Sequence, residues 1–258
     1  MKRSTIVFLF AAVAVVVAIF LMRPSSDYAM DNKSPAPTAT PRPGASIVVL
    51  PRSSSAATPK PTSSGSVKVL DVPFFAQAPL ANWSDPRQQN GCEEASLLMA
   101  MGWITGERFT PAQNEKRITD FADWQIEKYG FSTDTNAEDS AKLMREYLKY
   151  DKVRVVHDIT VSDIKKELAK GNLVIVPING QRIGNPNFTA PGPLTHMFPI
   201  LGYDSATDEF IVNDPGTRQG AGYRYSSSAV EASLQDYPSG ATHGYQTPGK
   251  TAMLVVEK

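Results

Sequence analysis

Two observations predict an α+β domain over residues 67–258. Helix caps and helical apolar spacing are concentrated between Cys92 and Gly171, and most of the short apolar or β-branched runs bounded by Gly, Pro, Asn and Asp come after them. Helices grouped ahead of strands favour a helical N-terminal part packed on a mostly antiparallel sheet.

After an extended stretch over 67–75, residues 92–103 place small or apolar side chains at 92, 95, 96, 99 and 103, the stripe of a helix that stops near Gly106. Thr110-Pro111-Ala112-Gln113 supplies a capping hydroxyl, a first-turn proline and a Gln at the third position, so a second helix starts there. Asn136 caps a third, with Glu138 and Asp139 where the helix dipole favours acids and Ala141, Met144 and Leu148 on one face. Thr160 caps a fourth that runs to Lys170 and stops at Gly171. Residues 173–178, 197–203, 209–213 and 252–256 read as strands.

Two segments precede this domain. Lys2 and Arg3 lead into an apolar and Ser/Thr run over 4–22, closed by Arg23 and Pro24. At about 1.5 Å per residue it spans roughly 28 Å, close to the hydrocarbon thickness of a bilayer. Asp27-Tyr28-Ala29-Met30 is a poor cleavage site, so residues 1–23 read as an uncleaved signal anchor rather than a removed signal. The flanking charges leave the N-terminus in the cytoplasm and send the rest across, giving a single-pass protein of the cell membrane with its domain extracytoplasmic. No cysteine follows the run closely, which excludes a lipid anchor at that position. Residues 24–66 are rich in Pro, Ser, Thr and Ala and cannot bury enough surface to offset their ordering entropy; they read as a disordered tether.

The chain carries 26 basic and 26 acidic residues, with no basic stripe interleaved by aromatics, so nucleic acid is not an expected partner. His, Cys and carboxylates nowhere take metal-ligand spacing and no glycine loop is shaped for phosphate; no cofactor or metal is expected.

Cys92 is the only cysteine, set in Asn90-Gly91-Cys92-Glu93-Glu94-Ala95-Ser96 where a turn enters a helix. It cannot form an internal disulfide, and an exposed thiol outside the cytoplasm is a liability unless its reactivity is used. The competing reading is a small buried hydrophobe. A helix N-terminus lowers a thiol's pKa and an imidazole can take its proton, while Glu93 and Glu94 oppose the thiolate unless their carboxylates turn away from the sulfur.

Of the three histidines, His157 and His243 fall in positions suited to surface or packing roles. His196 closes the Gly/Pro/Asn-rich stretch over 179–195 and opens a strand, and the next strand ends at Asp214-Pro215-Gly216. With residues 204–208 as a five-residue hairpin loop, Tyr203 faces Glu209 and Asp214 lies opposite Phe198. His196 and Asp214 are then diagonal neighbours about 7–8 Å apart at the backbone, within side-chain reach. A slip of one residue would put them on opposite faces. That trio would place the Cys92 sulfur about 3–4.5 Å from an imidazole nitrogen. Attack on a carbonyl also needs oxyanion donors: the Cys92 N–H and a side-chain amide, for which Gln77, Gln88 and Gln89 are the candidates.

Four segments together resemble the papain-like cysteine peptidases of family 39, known for processing double-glycine bacteriocin leaders, and in particular their stand-alone domains. They are Asp71-Val72-Pro73-Phe74-Phe75-Ala76-Gln77, Gly91-Cys92-Glu93-Glu94-Ala95-Ser96, Pro193-Leu194-Thr195-His196-Met197 and Phe210-Ile211-Val212-Asn213-Asp214-Pro215-Gly216, in the family's order. The resemblance implies a papain-like fold for residues 67–258 of a bacterial protein. It also implies Cys92 as nucleophile, His196 as base and later acid, Asp214 as orienter, and Gln77 as oxyanion donor with Gln88 as fallback. The expectation is a membrane-anchored cysteine peptidase acting on peptide or protein substrates. The alternatives are a thiol acyltransferase or amidase of the same fold, and a non-catalytic binding module on a stalk that uses the loop over 179–195.

Overall fold

The computed structural model describes residues 67–240 and 250–258. The expected anchor (1–23), the tether (24–66) and His243 lie outside these residues. Among the described residues no helix is long and apolar enough to cross a membrane.

The expected helices form with the expected caps. A short α1 (Pro86–Gln89) precedes α2 (Cys92–Thr105), which stops where Gly106 takes φ 77°. In α3 (Pro111–Tyr129) the Thr110 and Gln113 side chains cap each other's backbone, and in α4 (Ala137–Glu146) the Asn136 side chain accepts the Asp139 N–H. Each such cap contributes about 1 kcal/mol. The Asp163 carboxylate accepts from the Thr160 backbone N–H at 3.1 Å at the start of α5 (Val161–Lys170). Three helices had no counterpart among the expected ones: α1, α6 (Gly180–Ile183) and α7 (Ser227–Ser233).

The strands β1 (Val153–His157), β2 (Leu173–Ile178), β3 (His196–Asp204), β4 (Glu209–Val212), β5 (Tyr223–Ser226) and β6 (Ala252–Val256) form one sheet in the order β1-β6-β2-β3-β4-β5. Every pairing is antiparallel. This α+β arrangement, with a six-stranded antiparallel sheet, fits the papain-like fold that the resemblance implies.

The helices are not confined to one side, as the sequence suggested. Leu173, Ile175, Leu254 and Val256 share one apolar cluster with α2, α3 and α4, whereas Val174, Val176, Met253 and Val255 share another with α5 and α7. Both sheet faces are covered, and this is why β2 and β6 are continuously apolar instead of alternating. Helix α2 lies between the sheet and the other helices of its face and is buried all round from Cys92 to Ala100, not along a single stripe. Glu93 and Glu94 are buried with it, at 1% exposure each.

The hairpin between β3 and β4 differs in detail from its expected form. Asp204 pairs with Glu209 and Tyr203 with Phe210, so the loop is one residue shorter, and a bulge at Leu201 then shifts the register so that Ile200 pairs with Val212. Loop and bulge cancel. The Asn213 N–H bonds the Pro199 carbonyl at 3.0 Å, and continuing the register sets Asp214 level with Phe198, as the sequence predicted. At Gly202 the extended N-terminal segment crosses so closely that a Cβ would lie 2.6 Å from the Lys68 carbonyl oxygen. The Leu70 N–H bonds Leu201 O there at 2.9 Å.

Candidate active site

The crossing segment leads to Gln77. Asn213 holds it, donating its amide to Val72 O and Pro73 O at 3.1 and 3.3 Å, and the Gln77 N–H bonds Pro215 O at 2.9 Å. On the other side α2 is tied to β3 by the Ser96 hydroxyl, which donates to Met197 O at 3.2 Å. These ties bring the start of α2, the start of β3 and the end of β4 to one cleft of about 530 Å³. Cys92, His196 and Gln77 line it, together with Trp83, Phe188, Pro193, Arg218 and further residues of the 187–195 and 216–219 loops.

His196 and Asp214 meet as expected. Nε2 of the imidazole bonds Asp214 Oδ1 at 2.8 Å, and both residues are buried, at 1% and 0% exposure. The carboxylate is saturated: Oδ1 also accepts the Gly216 N–H at 3.0 Å, and Oδ2 accepts the Tyr225 hydroxyl at 2.6 Å and the Asn185 amide at 3.2 Å. Burial raises the Asp214 pKa, but the charge and hydrogen bond of His196, with those of Tyr225 and Gly216, outweigh it and hold the carboxyl below its ordinary range. Burial first, and then Asp214, push the Tyr225 phenol up. The ring of Phe188 meets the imidazole edge-on with centroids 5.3 Å apart. Gly216 packs beneath, where a Cβ would come within 2.8 Å of His196 Cε1 and 2.9 Å of Phe188. Since Nε2 donates to the carboxylate, Nδ1 is the ring nitrogen left to take a proton.

The surroundings of the thiol differ from the reading in which the neighbouring carboxylates turn away from the sulfur. Cys92 lines the cleft but is only 6% exposed and belongs to the apolar cluster of Met99 and Trp103. Its Sγ–H bonds Glu93 Oε2 at 3.0 Å rather than the imidazole. Glu93 does not turn away from the sulfur, because α2 is enclosed and offers it no route to solvent. Burial, and then the charge and hydrogen bond of Glu93, push the Cys92 thiol up, opposite to the lowering a helix N-terminus alone would give. Glu93 itself is pushed up to about 7, by burial and then by the charge of Asp134.

Gln77 lines the cleft with its amide engaged: Nε2 donates to Gln88 O at 3.0 Å and Gln89 O at 2.8 Å. Gln88 is buried away from the cleft at 1% exposure and Gln89 lies on its rim. His157 is on the surface beside Glu138, at 2.7 Å. The loop over 179–195 forms a wall of the cleft, and Thr195 ties it to Asp134 by a 2.7 Å hydrogen bond.

Sequence reasoning missed Asn185, Asn213, Tyr225 and Tyr237. The alternation Tyr223-Arg224-Tyr225-Ser226 was the available signal for β5 and hence for Tyr225. The others act through tertiary contacts that no local pattern encodes.

No curated protein matches the chain. Among solved structures, a C39-like protein from Bacillus anthracis aligns with a TM-score of 0.45 at 16% sequence identity, over 75% of this chain and 99% of that one. Residues 69–241 match the model of the Peptidase_C39 like family. That span is well over half of the 258 residues and contains Gln77, Cys92, His196 and Asp214, so the chain belongs to the Peptidase_C39 like family.

Proposed function

We propose that this chain is a cysteine peptidase that hydrolyses peptide bonds outside the cytoplasm, anchored to the membrane by residues 1–23. The observation that carries the reading is the common cleft of Cys92 and His196, with the imidazole already held by Asp214 at 2.8 Å. Membership of a peptidase family supplies the substrate class, a peptide or protein.

In this reading the Cys92 sulfur swings from Glu93 toward His196, and its proton passes to Nδ1. The thiolate attacks the scissile carbonyl, and the oxyanion forms against the Cys92 N–H, which as the first helical N–H has no intrahelical acceptor. Gln77 joins it by releasing one Nε2 hydrogen from Gln88 O or Gln89 O. The imidazolium returns its proton to the departing amine as the C–N bond breaks, leaving a thioester. Water adds to the thioester with His196 as base, and the free acid leaves with the thiol restored. Asp214 stays ionised throughout and stabilises the imidazolium.

The test is labelling of the full chain with an epoxysuccinyl peptide, a probe that needs an activated thiol. Labelling at Cys92 is expected in the wild type, with a loss of at least tenfold in His196→Ala. Equal labelling of both would remove the nucleophile–base assignment. The anchor is tested separately: the full chain expressed in a bacterium should sediment with membranes and resist carbonate extraction. N-terminal sequencing that starts beyond Met22 would refute it.

A further inference from the structure

The mechanism above gives no part to two buried groups that touch the nucleophile's environment. Glu93 accepts the Cys92 thiol at 3.0 Å through Oε2 and the Tyr237 hydroxyl at 2.7 Å through Oε1. Cys92, Glu93 and Tyr237 are only 6%, 1% and 2% exposed, so water does not stand in for either bond. Tyr237 comes from the segment after α7, 144 residues along the chain from Glu93. This contact is therefore built by the tertiary fold.

From this geometry we infer that Glu93 is a positioning residue that keeps Cys92 in its protonated, resting form, and that the nucleophile is released in molecules whose Glu93 is neutral. The inference rests on the assignment of Cys92 as nucleophile. With Glu93 ionised, loss of the thiol proton would set two negative charges about 3 Å apart in a buried site, an arrangement the low dielectric strongly disfavours. With Glu93 neutral, its O–H donates to the sulfur and stabilises the thiolate instead. The protons balance: Glu93 takes one from solvent, and the Sγ proton goes to Nδ1 of His196.

The groups around Glu93 oppose one another: burial and the charge of Asp134 favour its neutral form, and the hydrogen bonds from Cys92 and Tyr237 favour the carboxylate. Cys92 and Glu94 come from α2 itself, Asp134 from the α3–α4 connection and Tyr237 from the segment after α7; Glu94 and Asp134 are carboxylic acids, while Cys92 and Tyr237 are a thiol and a phenol that each donate to Glu93. Burial, and then the charge of Asp134, raise Glu93 to about 7, so the neutral form is populated near physiological pH. Glu94 is raised by burial and then by Glu93, and bonds Gln125. The Tyr237 phenol is raised by burial and then by Glu93, and stays a hydrogen-bond donor throughout.

Cys92 is the only cysteine, so iodoacetamide labelling of the full chain reports on this thiol alone. At pH 8 the Glu93→Gln variant should react at least tenfold faster than wild type. At pH 5.5, where Glu93 is neutral in the wild type as well, the two rates should converge within about twofold. Tyr237→Phe removes a donor that favours the carboxylate, so in that variant the wild-type slowing should set in at higher pH. A Glu93 that is merely structural would shift unfolding without producing this pH-dependent ratio. Equal rates for wild type and both variants from pH 5 to 9 would overturn the inference and leave Cys92 as nucleophile. Failure of all three to react at any pH would overturn both. If Glu93→Gln fails to fold, as judged by near-UV circular dichroism, the shift or absence of shift in Tyr237→Phe decides.

Discussion

Turnover of a fluorogenic peptide library by the full chain is expected to fall by on the order of 10⁵–10⁶ in Cys92→Ala and nearly as far in Cys92→Ser. Without the sulfur, binding and the oxyanion donors remain, and these alone support only a small residual rate. Serine is nearly isosteric and suits a helix start, so Cys92→Ser should fold normally. Its hydroxyl ionises far less readily than a thiol, and the Glu93 carboxylate beside it, 3.0 Å from the native sulfur, opposes an alkoxide even more than a thiolate. The loss therefore lies in kcat rather than KM. A Cys92→Ser chain that retains more than a hundredth of wild-type turnover would show that another group carries the attack.

Asp214→Asn should lower kcat by about 10⁴ and also destabilise the fold by roughly 3–5 kcal/mol. Both effects follow from the same four contacts. The His196, Gly216, Tyr225 and Asn185 groups around the carboxylate all donate to it, so an amide with one acceptor oxygen leaves donors facing its own N–H group. An amide that donates to Nε2 also forces the imidazole proton onto Nδ1, where the base needs a lone pair. The sign of the pH dependence is fixed by the lowered pKa. A depressed carboxyl stabilises the fold above its unfolded value of about 3.9, and that contribution is lost as pH falls through the lower folded value. The stability gap between wild type and Asp214→Asn, measured by urea unfolding, should be constant from pH 5 to 7 and shrink below about pH 4. A gap that stays constant through strong acid would mean that the carboxylate charge is not what the site uses.

The helix caps at Thr110, Asn136 and Thr160 and the helix stops at Gly106 and Gly171 were legible in the sequence because each depends on local hydrogen bonds within a turn. The pairing of His196 with Asp214 was legible because strand alternation has a period of two and a hairpin carries that period across its turn. The environment of Cys92 was not. Whether Glu93 faces solvent or sulfur depends on what lies over α2, and that cover comes from α3, α4 and the segment bearing Tyr237. Likewise the second helical layer joins α5 to α7, and the Ser227, Ser228 and Ala229 of α7 show no apolar stripe to announce it. The continuous apolar runs of β2 and β6 were the sequence's own sign that both faces would be covered.

The bulge at Leu201 has a consequence for how such chains are compared. In the hairpin the separation of histidine and aspartate along the chain is not itself under constraint; only the sheet face the two side chains share is. A loop one residue shorter and a strand one residue longer leave the same two side chains facing each other, as the shift between Ile200 and Gly202 shows. A search template with a fixed gap would discard relatives whose hairpin is lengthened by two residues, or by one residue with a second bulge, although their carboxylate and imidazole still meet. A template that allows any gap restoring the facing, and fixes only the Asn-Asp-Pro-Gly end of the second strand, follows the physics of the sheet.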